Sequence, residues 1–197
     1  MSKGEQTRKR ILERAAQLLN QRGFLSSSVS EIMEATGMQK GGIYNHFKSK
    51  EDLAVQAFDY AVERIAEKYR AALEGKEHAV DRLVAVITLF EVYEGDAPFA
   101  GGCPLMNCAI ESDDTSPVLR ARARQAMDQW RDMFVRIIAK GISRGEIRPH
   151  VHPDTEATLF ITSLEGAVMM SNLYKDPVHL RRVIARLVDY VNGELKT

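Results

Sequence analysis

Apolar residues recur along this chain at helical spacing almost from end to end. Ile11, Leu12, Ala15, Ala16, Leu18 and Leu19 make one stripe of a first helix that starts between Lys3 and Thr7 and runs to Arg22. Gly23 stops it, with Phe24 placed to close back on Leu19. Ser28 with Glu31 three residues on is a capping box, opening a short helix with Val29, Ile32 and Met33 on one side. Gly37 ends that helix, and Met38 is set to fold back on Met33. Ile43 and Phe47, four apart, give the next helix its apolar edge. Ser49 with Asp52 opens a long helix from Lys50 to about Leu73, with Leu53, Ala57, Tyr60, Ala61, Ile65 and Tyr69 inside, ending near Gly75.

The remainder is helical by the same signs. Residues 77 to 94 are periodic through Val80, Leu83, Val84, Ile87 and Phe90, and EGDAP at 94 to 98 breaks them. A short helix is expected from Pro104, capped by Cys103, with Leu105, Met106 and Ile110 inside. Ser116-Pro117 opens a long helix to about Ser143, and 145 to 153 is irregular. The helix over 154 to 174 is apolar on more than one side, and Asp176-Pro177 starts the last one, which runs to the end. The fold class expected is therefore all-α, with about nine helices and no strand, repeat or low-complexity segment. The surplus apolar surface on the last two helices predicts a homodimer joined through them.

Two short helices around Thr36-Gly37-Met38 have the form of a helix-turn-helix, whose second helix enters the DNA major groove. Spacing alone fits a plain helical hairpin equally well. The far side of the second helix changes the balance, since it holds Gly41, Gly42 and Asn45 between Tyr44 and His46. A glycine in a helix costs roughly 1 kcal/mol against alanine, and it lets a backbone approach another surface closely. Net charge is zero over the chain, but residues 1 to 50 are net +5 and the rest net −5. A basic head on an acidic body suits a chain of which one part meets phosphate. This predicts a DNA-binding domain over 1–50 and a body over 51–197, joined by the helix from Lys50 rather than by a linker.

Other features narrow the class. No apolar run reaches the ~18 residues of a spanning helix, and MSKGEQTRKR lacks a signal-peptide core, so the expectation is a cytoplasmic protein with no membrane partner. Cys103 and Cys108, five apart, have neither disulfide nor metal spacing. His150 and His152 have no evident third ligand, so no metal and no cofactor is expected.

Over residues 7 to 53 the chain resembles the TetR family of bacterial transcriptional regulators. The match lies in TRKRILERAAQLLNQRGF, SVSEI and ATGMQKGGIYNHFKSKEDL, in the family's order and spacing. The resemblance implies a three-helix DNA-binding domain and a C-terminal domain that binds an effector and dimerises through its last two helices. It further implies release of operator DNA when a small-molecule effector binds. Tyr44, His46 and Lys50 match phosphate-contacting positions, and Thr7 matches a contact on the first helix. Ser28 joins them at the start of the second helix, and Lys40, Gly41, Gly42 and Asn45 fall at groove-facing positions. Gln39 stands where serine commonly caps the recognition helix, and Met38 where valine is usual; Gln39 is a poorer cap and a possible base contact.

For the effector, Phe99, Met106, Trp130, Phe134, Phe160, Met169 and Met170 are candidates to line a cavity, though residues of these types at helical spacing also make plain core. Cys103 stands between Gly101-Gly102 and Pro104, at an expected helix N-terminus where the dipole favours thiolate, or else is a small buried cap. GGCPLMN resembles a TetR subgroup with electrophile-sensing members. The reading is a homodimeric repressor of a palindromic operator, released by a small molecule or a reactive electrophile. The rivals are a helical enzyme, against which no nucleophile-base pair or phosphate loop is seen, and an interaction module without DNA binding, which leaves the charge split unexplained.

Overall fold

The computed structural model describes residues 2–95 and 97–197, so Asp96, within the expected break after residue 94, lies outside them. Among the described residues there are nine α-helices: α1 Lys3–Arg22, α2 Val29–Thr36, α3 Lys40–Tyr44, α4 Lys50–Leu73, α5 Ala79–Thr88, α6 Pro104–Ser112, α7 Pro117–Ser143, α8 Pro153–Tyr174 and α9 Val178–Tyr190. No helix is long and apolar enough to cross a membrane. Three expected bounds shift. The periodic run to residue 94 tightens to a 3-10 helix over Leu89–Glu94, α9 gives way to a π-turn over Val191–Leu195, and α3 is only five residues long.

The chain divides into two compact units, one of residues 1–65 and 99–126, the other of 66–98 and 127–197. In the first, α1 buries Ile11, Leu12, Ala15, Ala16 and Leu19, the stripe its period predicts. Gly23 ends α1 at φ +107°, with its N–H donating to the Leu19 carbonyl. Phe24 is fully buried and packs edge-on against Phe58 of α4, with ring centroids 5.8 Å apart. Segment 99–126 joins this unit through polar contacts: Asn20 Nδ2 of α1 donates to the carbonyls of Ala100 and Gly102, and Asn107 Nδ2 of α6 donates to Asn20 Oδ1.

α6 buries Leu105 as expected but not Ile110. Pro104, Leu105 and Cys108 are buried, whereas Ile110 is 68% exposed. In the second unit an aromatic column forms the core. Trp130 stacks on Phe90 at 5.9 Å and lies 6.3 Å from Tyr69; Phe134 follows Trp130, Phe160 follows Phe134, and Tyr190 ends the series.

Candidate functional site

The helix-turn-helix is built by its caps. Ser28 Oγ accepts from the Glu31 N–H and the Glu31 carboxylate accepts from the Ser28 N–H at 2.7 Å, so both ends of the capping box are made. The Ser28 N–H, and next the Ser28 hydroxyl that donates to the same carboxylate at 2.8 Å, hold the Glu31 carboxyl below its ordinary range. At the other end Gly37 takes the left-handed conformation (φ +67°, ψ +21°), and the Met38 N–H donates to the Met33 carbonyl in the bond that closes such a turn. α3 starts at Gln39, whose side chain makes no cap bond, as its departure from serine implied. Ile43 and Phe47 anchor α3, both 2% exposed.

What remains outward is the set expected to meet DNA. Gln39, Lys40, Gly41 and Asn45 are exposed, and Gly42, Tyr44 and His46 are half-buried. The two glycines differ. A Cβ on Gly42 would lie 2.8 Å from Met38 Cε, while one on Gly41 would meet nothing of this chain within 4 Å. The bare backbone at Gly41 is therefore not demanded by internal packing.

Some of the expected contacts, and side chains near them, already have partners in the chain. Lys50 Nζ donates to the Leu25 carbonyl at 2.5 Å, so this ammonium braces the α1–α2 connection instead of standing free for phosphate. Thr7 Oγ1 donates to Lys3 O of its own helix, and Ser28 Oγ donates to Glu31 while it caps α2. Arg8 lies over the Phe47 ring, 5.4 Å from its centroid, and donates to Gln56. Asp52 accepts from Ser49's neighbour, the Lys48 N–H, at 2.8 Å and from Gln56 Nε2, which holds its carboxyl below the usual range. Its own N–H donates to Ser49 Oγ, so the expected box forms with its return bond shifted by one residue.

Sequence reasoning missed Glu111 of α6. Its carboxylate accepts from the N–H groups of Phe24, Leu25 and Ser26 and from the Ser26 hydroxyl, which fixes the loop that carries α2. A Cβ on Gly23 would fall 2.6 Å from Glu111 Oε1, so the glycine admits the carboxylate. Nothing local in the sequence marks a contact between residues this far apart. The two glycines before Cys103 likewise serve docking. Gly101 (φ +97°) brings its Cα side against α1, where a Cβ would lie 2.8 Å from Asn20 O.

The effector candidates separate into three groups. Trp130, Phe134 and Phe160 lie in the aromatic column of the second unit, and the buried Trp130 Nε1 has no hydrogen-bond partner. Phe99, Cys103 and Met106 belong to the first unit. Met169 and Met170 stand apart from both, 50% and 38% exposed on α8. Burial bears on the electrophile reading. Cys103 caps α6 as expected, but it is only 5% exposed, and Cys108 is fully buried with its thiol pushed up to about 12 by desolvation. Neither is placed to meet a reagent from solvent.

Two family profiles match this architecture. Residues 11–57 match the bacterial regulatory proteins of the tetR family, and residues 79–187 match tetracyclin repressor-like C-terminal domains. The chain belongs to the TetR family. It is thus a DNA-binding transcriptional regulator, and the helical-enzyme reading falls away. A TetR transcriptional regulator from Chloroflexus aurantiacus J-10-fl is 44% identical, with 100% of this chain and 99% of that one covered and a TM-score of 0.95. An uncharacterized HTH-type transcriptional regulator of Mycobacterium tuberculosis is 29% identical over 95% of each chain. The HTH-type transcriptional repressor DhaR of Mycobacterium sp. strain GP1 is 28% identical over 86% of this chain and 84% of its own.

Proposed function

We propose that this TetR-family regulator is a repressor that binds a palindromic operator as a homodimer and leaves it when a small molecule enters the body. The observation that carries the DNA side is the outward face of α3, where Gly41 leaves backbone bare with nothing of the chain against it. Lys40 would donate to guanine, Asn45 would pair with adenine, and Gln39 adds a further polar group at the same edge. Tyr44 and His46 would grip phosphate, with Thr7, Ser28 and Lys50 chiefly holding the frame. The 1–50 segment is the DNA-binding domain in this reading and 51–197 the effector and dimerisation domain, with α4 running from one to the other. DhaR, named a repressor, supports the sign of regulation.

The dimer surface is α8. Leu159, Met169, Met170, Leu173 and Tyr174 are all exposed along it, an apolar strip that a second copy would cover. For the effector, the aromatic column with the unpaired Trp130 indole N–H offers stacking faces and one donor. Trp130 is the only tryptophan, so effector binding is read directly from its fluorescence. Selection of bound sequences from random duplex DNA tests the DNA side: a palindrome with half-sites about one helical turn apart is expected. Recovery of no preferred sequence would remove the operator reading.

A further inference from the structure

The turn between α4 and α5, the start of α5 and the last turns of α7 border a half-open cavity of about 510 Å³ in the second unit, apart from the aromatic column. Its wall gathers five cations, Lys76, Arg82, Arg136, Lys140 and Arg144, against one acid, Glu77. Acids outnumber bases in this unit, so the clustering runs against its composition. Met133 and Ile137 supply an apolar part of the lining.

Helix-end electrostatics account for only some of these charges. Lys140 and Arg144 lie at the C-terminus of α7, where a cation is favoured. Arg136 is two turns inside α7, and Arg82 is in the first turns of α5, where the dipole disfavours a cation. Two of the guanidiniums are also aimed. Arg82 Nη1 donates to Lys76 O at 2.9 Å and Arg144 Nη1 to Glu77 O at 3.3 Å, which leaves most of the five N–H donors of each for another partner. Arg144 also lies 3.8 Å from a Glu146 oxygen, and the other oxygen of that carboxylate accepts from the Ala79 N–H. Like charges held around a concave wall repel one another unless a counter-charge sits among them.

We propose that this cavity is a second ligand site, which takes a small phosphate-bearing polyanion whose apolar or ring portion rests on Met133 and Ile137. The cations meet two or more negative charges, guanidinium forks pairing with phosphate oxygens. A single carboxylate would leave most of the wall uncompensated.

Calorimetric titration of the full chain with pyrophosphate, with adenosine diphosphate and with uncharged adenosine tests the site. Saturable one-to-one binding of the two phosphates is expected, tighter for the nucleotide, weakening with salt and absent for adenosine. The double variant Arg136→Gln, Lys140→Gln should weaken both by about tenfold or more, while Arg182→Gln, exposed on α9, should leave them unchanged. An unchanged circular dichroism melt shows that the double variant is folded. No saturable binding, or equal binding by the double variant, overturns the proposal. So does duplex DNA whose affinity falls in the double variant while neither phosphate binds, since the cations would then belong to a nucleic-acid surface. A failed operator selection would leave this result untouched, so the two readings stand or fall separately.

Discussion

Gly41 and Gly42 look alike in the sequence and differ in the fold. Alanine at either should favour the helix by up to ~1 kcal/mol from propensity. At 42 the new Cβ pushes only on the flexible end of Met38, and at 41 it meets open space. Gly41→Ala should therefore melt at the same or a higher temperature yet bind operator roughly tenfold more weakly, if the groove wall comes against that backbone. Fluorescence anisotropy with labelled duplex measures this, and undiminished affinity would place Gly41 away from DNA. Glu111 is the opposite case, a residue with no local mark and several partners. Glu111→Ala leaves three loop N–H groups without their acceptor, and a loss of about 2–3 kcal/mol in urea unfolding is expected. Cys103 and Cys108 should label slowly with a maleimide in the folded protein and quickly in urea. Fast native labelling of either would contradict this burial and favour the electrophile reading.

Among the elements, the caps were legible and the faces less so. The boxes at Ser28 and Ser49 lie within four residues, so their chemistry is written locally, and both formed. α6 shows the limit. Leu105, Met106 and Ile110 fit one helical stripe, yet Asn107 and Glu111 reach α1 and its loop, and that docking rotates Ile110 outward. The capping carboxylates also give the first unit a pH signature. Glu31 and Asp52 have folded values below their unfolded ones, so their contribution is complete above the ordinary carboxylate range and fades as pH falls through it. Asp59, pushed up by burial beside Arg122, works in the opposite direction. Thermal melts from pH 7 to pH 3 should therefore show a falling midpoint, with a smaller fall in Ser28→Ala, which already lacks a cap worth ~1 kcal/mol. Equal falls in both proteins would detach the acid response from that box.

For the whole molecule, the proposed dimer puts a second copy over α8. Leu173 and Tyr174 are 71% and 64% exposed and continue the apolar strip of Leu159, Met169 and Met170. Leu173→Glu with Met169→Glu should convert a dimer to a monomer in light scattering, keep the melt of the first unit, and weaken operator binding by removing the second half-site. A double variant that remains dimeric would move the interface elsewhere.

The sequence by itself determined the nine-helix order, the caps, the helix-turn-helix and the family, because each rests on spacing within a few residues or on a short motif read directly. Tertiary structure decided which charged and polar groups were spent inside. Lys50 was expected at phosphate but donates to the Leu25 carbonyl, and Arg8 of α1 lies over the Phe47 ring. The same folding brought Lys76, Arg82, Arg136, Lys140 and Arg144 around one cavity from two distant stretches of the chain. Periodicity records which side of a helix is apolar; where its polar groups end depends on what the distant chain places beside them.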